Sequence, residues 1–133
     1  MIPPFEPSGY LPPGIHPATL AEIAERFAGS SEVRRVQMES IRWMVDLALR
    51  AGIKRIVLNG SFTTDIMEPN DVDCELLTGP GFPLDLAAEK ELLDGLPYLA
   101  VDIVGQSDFD LMVNTFFAND RSGVPKGMIE VVP

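Results

Sequence analysis

From Glu32 to about Arg50, apolar residues recur at the spacing of one helix face. Val33, Val36, Ile41, Val45 and Ala48 form the stripe, and Trp43, Met44 and Leu47 widen it. Arg34, Arg35, Glu39, Arg42 and Asp46 fall on the outward side, and Gly52 stands where a left-handed cap ends a helix. A shorter helix precedes it: Thr19-Leu20-Ala21-Glu22 is a capping box that opens a helix to about Phe27, and Gly29-Ser30-Ser31 breaks it. The rhythm then changes. Arg55-Ile56-Val57-Leu58-Asn59 is a short β-branched run that ends at Gly60-Ser61, as a buried strand does. Residues 62–70 form a connection with room for one helical turn, closed by Pro69-Asn70. Asp71 to Leu77 alternates polar with apolar residues and predicts a strand with one buried face. A helix over about Leu84–Leu93 follows, then a strand over Tyr98–Val104 and a helix from Asp108 to about Phe117. A turn at Asp120–Gly123 and a last strand over Gly127–Val132 complete the pattern. The expected fold class is α/β or α+β, with a small mixed β-sheet flanked by helices.

Six prolines in residues 1–17 make that stretch read as an extended arm, lying on the surface or reaching toward a neighbour, ahead of a single domain over 18–133. His16, the only histidine, precedes Pro17 in this stretch and reads as structural. The 133 residues fit one domain, and 46% hydrophobic residues are enough for a core. A lone cysteine, Cys74, excludes an internal disulfide and suggests a reducing compartment. The first residues lack the basic start and apolar run of a signal peptide, and no apolar stretch is long enough to cross a bilayer, so the expected location is the cytoplasm, with no membrane contact. A formal net charge of −10 argues against unaided, non-specific binding to nucleic acid. It is compatible with a cation-bridged polyphosphate, with a basic protein partner, and with acid that serves only solubility.

The chemistry concentrates in Leu58-Asn59-Gly60-Ser61 and, after residues 62–70, Asp71-Val72-Asp73. A glycine at a strand end lets the backbone turn sharply and approach a ligand closely. The serine adds a hydroxyl, and N–H groups after such a turn cradle phosphate oxygens. Asp71 and Asp73 are two apart on a strand and leave the same face. Two such carboxylates repel each other until a divalent cation holds both, and oxygen-only ligands point to Mg²⁺ or Mn²⁺. Val72 and Cys74 are expected to face the core, Cys74 as packing and not as a nucleophile, while Glu75 reads as a solvated edge residue. Trp43 and the pair Phe116-Phe117 read as packing.

In residue type, order and spacing, Gly60-Ser61 with Asp71-Val72-Asp73 resembles the signature of the DNA polymerase β-like nucleotidyltransferase superfamily. The stretches Leu11–His16, Gly60–Asp65 and Pro125-Lys126-Gly127 further resemble small bacterial nucleotidyltransferase-like proteins. The resemblance implies a nucleotidyltransferase-like fold and a third carboxylate on a later strand, which Asp102 in Leu99–Val104 matches. It implies a two-metal transfer of a nucleoside monophosphate from a nucleoside triphosphate to an acceptor hydroxyl, with release of pyrophosphate. Asp71, Asp73 and Asp102 would hold the metals, Asp102 alternatively helping to deprotonate the acceptor, and Gly60 and Ser61 would fix the outgoing phosphates. The spacer Phe62–Glu68 carries two acids and no base, so phosphate charge falls to metal, to backbone N–H groups, or to a distant base such as Lys126 or Arg121. The alternative is a binding module of the same fold with little or no turnover, such as one half of a toxin–antitoxin pair, acting through a protein partner. An oligomer is compatible with either.

Overall fold

A computed structural model describes all 133 residues as a mixed α+β domain. Its strands are β1 (Gly14–Thr19), β2 (Ile53–Asn59), β3 (Val72–Thr78), β4 (Leu99–Val104) and β5 (Gly127–Val132). Its helices are α1 (Leu20–Phe27), α2 (Glu32–Ala51), α3 (Leu86–Asp94) and α4 (Gln106–Leu111). The strands form one sheet in the order β1-β5-β2-β3-β4. The outer pairs β1–β5 and β3–β4 run parallel, while β2 is antiparallel to both of its neighbours. No helix is long and apolar enough to cross a membrane.

The alternation along β3 sets the two sides of the sheet. Val72, Cys74 and Leu76 point into the larger core, together with Ile56, Leu58, Ile129 and residues of α1, α2 and α3. The other face carries Asp73, Glu75 and Leu77. There a smaller core gathers Val57, Leu77 and Met128 beneath Phe109, Val113 and Phe117. At six residues α4 is too short to persist alone, so this burial, worth roughly 1.5–3 kcal/mol per large side chain, holds it in place. The helix continues as a π-helical turn over Met112–Phe116, where the sequence predicted regular helix to Phe117. The widened turn buries Val113 and Phe117 together and leaves Phe116 61% exposed.

Two expectations about the ends of the chain change. Residues 14–17, expected within a surface arm, belong with Ala18 and Thr19 to β1, at the edge of the sheet. An edge strand tolerates Pro17, whose missing N–H needs no partner on the open side. Further upstream, Ile2 and Leu11 are buried in the larger core, and the Arg26 guanidinium donates to the carbonyls of Pro3 (2.6 Å) and Ile2 (2.7 Å). The capping box at Thr19 and Glu22 and the left-handed cap at Gly52 (φ 95°) form as the sequence indicated.

The buried stripe of α2 is rotated from the expected one. Trp43 is 47% exposed and Val33 and Val36 are only half-buried, whereas Arg34, Gln37 and Ser40 are buried. Arg34, expected to face outward, is 2% exposed and has no carboxylate partner. Its guanidinium donates to the carbonyls of Phe62 (2.8 Å), Thr64 (2.7 Å), Ile66 (2.6 Å) and Phe27 (3.1 Å) and lies over the Phe62 ring. A planar fork of five donors can serve diverging carbonyls in this way, and an ammonium cannot. Gln37 extends the clamp by donating to the Pro69 carbonyl at 2.7 Å. The connection 62–69 is therefore held by α2 through its backbone, not by a core of its own.

Replacing Arg34 by Met should destabilise the fold by about 3 kcal/mol or more, since each carbonyl left without a donor costs roughly 1–3 kcal/mol. Arg34→Lys should recover only part of the loss. Urea denaturation of the three proteins checks this, with a lowered midpoint and an unchanged slope as the expected result.

Candidate functional site

The strand β2 ends at Gly60, whose φ of 89° and ψ of −169° suit only glycine. A side chain there would also press on Asp71, since a Cβ would lie 3.1 Å from both its carbonyl oxygen and Oδ2. The turn that follows, Ser61–Thr63, is a single 3₁₀ turn. It brings Ser61 onto Asp71: the hydroxyl donates to Asp71 Oδ1 at 2.6 Å, and the Ser61 N–H reaches the same oxygen at 3.2 Å. In return, Ser61 Oγ accepts from the N–H groups of Asn70 (3.0 Å) and Asp71 (3.3 Å). The serine thus ties the glycine turn to the start of β3 and fixes one oxygen of Asp71.

Asp71 and Asp73 emerge on one face and lie within hydrogen-bonding reach of each other. Their environments push them apart. Burial acts to raise the Asp71 carboxyl, but the two bonds from Ser61, helped by Asp73 and Lys126, outweigh it and leave it below its usual value. Asp73 is pushed up, by burial first and then by the charge of Asp71, with Lys126 only partly offsetting them. Lys126 is 8% exposed, its ammonium 5.3 Å from the centre of the Tyr10 ring. Burial lowers its pKa against the opposing pull of Asp71, Asp73 and Asp120.

These groups line one open hollow of about 400 Å³. Gly60, Ser61, Asp71 and Asp73 form one side, and the loop carrying Asp120, Arg121 and Lys126 forms the other. Lys126 therefore acts on the acid pair from the far end of the chain, in place of the base that the 62–68 spacer lacks, and Arg121 lines the same hollow. Asn59 is buried at the base of the hollow, and its Oδ1 has no partner. Nothing in its type distinguished it in the sequence, although it directly precedes the glycine. Phe116 stands exposed at the rim, while Phe117 is buried beneath it. His16 lies elsewhere, with Nε2 2.6 Å from the Pro12 carbonyl oxygen.

The third carboxylate is placed differently. In the parallel pairing of β3 and β4, Ala100 stands beside Asp73, and Asp102 stands beside Glu75. Asp102 is exposed. Glu75, expected at a solvated edge, is instead 1% exposed, because β3 is an interior strand with β2 on its other side. Burial, a hydrogen bond to Asp102 and the charges of Asp102, Asp73 and Asp108 push its carboxyl up to about 8. Cys74 faces the larger core, fully buried, and its thiol is pushed up by burial, as expected of packing.

The acid pair fits a single hard cation. Mg²⁺ is commonly held by one or two carboxylates, with waters and substrate phosphates filling the remaining positions. The raised Asp73 beside a charged Asp71 is the conflict that such an ion removes. No three Asp, Glu, His or Cys side chains come together as a metal-holding group, and Asp102 does not join the pair.

Fold and site together define a mixed α+β domain with an acid pair braced by a glycine–serine turn and faced by two bases. The chain belongs to a family of unknown function, DUF6932, whose model matches residues 3–132. No curated protein and no solved structure matches it.

Glu75 gives the fold a pH dependence of defined sign. Its folded-state value of about 8 lies above the ordinary 4.5, so the folded protein holds a proton that the unfolded chain releases between those values. Its contribution to stability should be complete below pH 4.5 and lost as pH rises through 8. Glu75→Gln, which keeps a neutral donor toward Asp102, should flatten this decline, and urea midpoints at pH 5 and pH 8.5 should diverge less than in the wild type.

Proposed function

We propose that the protein is a metal-dependent nucleotidyltransferase with a nucleotidyltransferase-like fold, moving a nucleoside monophosphate from a nucleoside triphosphate to an acceptor hydroxyl. The observation that carries the reading is the division of charge in one hollow, with Asp71 and Asp73 on one side and Lys126 and Arg121 on the other. Asp120, on the side of the bases, is already engaged by the Tyr10 hydroxyl and by the N–H groups of Ser122 and Val124. A triphosphate with its cation has the complementary division. Its metal side suits the carboxylates, and its remaining phosphate charge suits the two bases, because the N–H groups of Ser61 to Thr64 are already bonded within the chain. A bound Mg²⁺ or Mn²⁺ would neutralise charge on the phosphates as the bond to the leaving group breaks.

The chain's own residues supply the rest. Ser61 holds Asp71 ionised and oriented, so that the acid pair is formed before substrate arrives. Asn59 presents an unpartnered amide oxygen to the same space, where a nucleotide or its water shell can donate to it. The acceptor oxygen forms a bond to the α-phosphorus while the bond to pyrophosphate breaks. The hydroxyl proton leaves toward solvent, to which the hollow is open.

The register of Asp102 favours a second reading. A third acid beside Glu75, and not beside Asp73, suits a module that binds nucleotide or a protein partner with little turnover, such as one half of a toxin–antitoxin pair. The two readings separate in one assay. Incubation with labelled nucleoside triphosphates, Mg²⁺ or Mn²⁺ and cell extract should move label to a discrete acceptor. Asp71→Asn or Asp73→Asn should lower that transfer by at least about 100-fold, since even outer-shell partners of a metal are worth roughly 10–100-fold. Their unfolding midpoints should stay near the wild-type value. Binding of the nucleotide without any transfer would replace the first reading by the second.

A further inference from the structure

On the far side of Asp73 from Lys126 lies a second hollow, of about 360 Å³, that the proposed chemistry does not use. Asp73 and Phe117 line both hollows and form the partition between them. The second is lined by Glu75 and Asp102 and by the apolar side chains of Ala100, Met112 and Phe117, while Val101 and Cys74 in its wall turn their side chains to the larger core. Every charged side chain in its lining is acidic. One of these acids is a buried group with an unmet bond: Glu75 is 1% exposed, and its Oε1 has no hydrogen-bond partner. Native proteins rarely bury a carboxylate oxygen without a donor. Here no Lys or Arg of the chain supplies one: Arg55, the nearest base on this face of β2, is engaged by Glu130 at 2.6 Å and 2.9 Å.

We propose that this second hollow is a binding subsite for an organic ammonium group on a short aliphatic stem. The ammonium would donate to Glu75 Oε1 and to Asp102, and the stem would lie against Ala100, Met112 and Phe117. An alkylammonium fits better than a bare metal ion, because the walls away from the two acids are apolar and no three ligating side chains converge. If the nucleotide-transfer reading also holds, on which this extension rests, the amine anchors the acceptor and a hydroxyl carried beside it reaches Asp73 through the shared wall.

The test measures binding alone. Amide chemical shifts of the full chain are followed by NMR while 1,4-diaminobutane is added, with 1,4-butanediol, its neutral counterpart, as the control. The expected result is a saturable shift of Asp73–Leu76 and Leu99–Ile103 with the diamine and none with the diol. Asp102→Asn should weaken diamine binding by about tenfold or more, the loss of one charge-assisted hydrogen bond, and Glu75→Leu should weaken it by removing the accepting oxygen. Asp102 is exposed, so its variant carries the test should Glu75→Leu fold poorly. Equal shifts with the diol, no saturable shift with the diamine, or wild-type affinity in the Asp102→Asn protein would each overturn the proposal. No nucleotide is present, so failure here leaves the transfer reading standing, and failure of transfer leaves this one standing.

Discussion

The buried guanidinium of Arg34 is the constraint on which the site rests. Between the glycine turn and β3, Phe62 is buried in the larger core, but Asp65, Ile66, Met67 and Glu68 after it are all exposed. Hydrophobic burial therefore cannot fix their path. Three of this segment's backbone carbonyls drawn onto one side chain, which also holds the Phe27 carbonyl, can, since each hydrogen bond to a charged donor is worth more than a neutral one. With that path set, Ser61 falls beside Asp71, and the aspartate needs only local bonds to take its place. Isolated in the interior, such a cation would be costly. Its burial lowers its pKa, with Asp65 the one acid pulling the other way.

The sheet divides its two faces between different tasks. One carries the larger core and most of the helices. The other is only partly covered, by α4 and the π-helical turn, and the remaining width exposes the acids of β3 and β4 to two hollows. A π-helical turn suits this cover. Its extra residue lets Phe117 reach the core while the backbone is still turning toward the loop that bears Arg121 and Lys126. Widened turns of this kind recur at functional sites because they re-aim side chains without ending the helix.

Much of this was legible in the sequence. Strand β3 and the common face of Asp71 and Asp73 follow from a period of two, β2 follows from a short β-branched run closed by glycine, and β4 and β5 formed where strands were expected. The brace at Gly60 and Ser61 was visible as a motif, although the hydroxyl turned out to hold an aspartate within the chain. Three features escaped. Arg34 and Gln37 sit at polar positions of an otherwise regular helical stripe, and only the path of a distant connection explains their burial. Glu75 looked solvated because its period gives the face but not the number of strands flanking it. Strand β1 was masked by its prolines, which an edge position tolerates. Each of these depends on which segment lies alongside which, and a single sequence carries no such pairing.

The place of β5 in the sheet bears on how the protein comes into being during synthesis. Gly14 is made early, yet its strand partner is Gly127, and β5 must also slot against β2 before the sheet is continuous. Until the ribosome has released that segment, β1 has no strand to pair with and the hollow lacks Lys126, which directly precedes β5. A nascent or truncated chain would therefore carry the acid pair without the base that faces it. Competence to handle a polyanion would be acquired only at the final step of folding, when both halves of the sheet lock together.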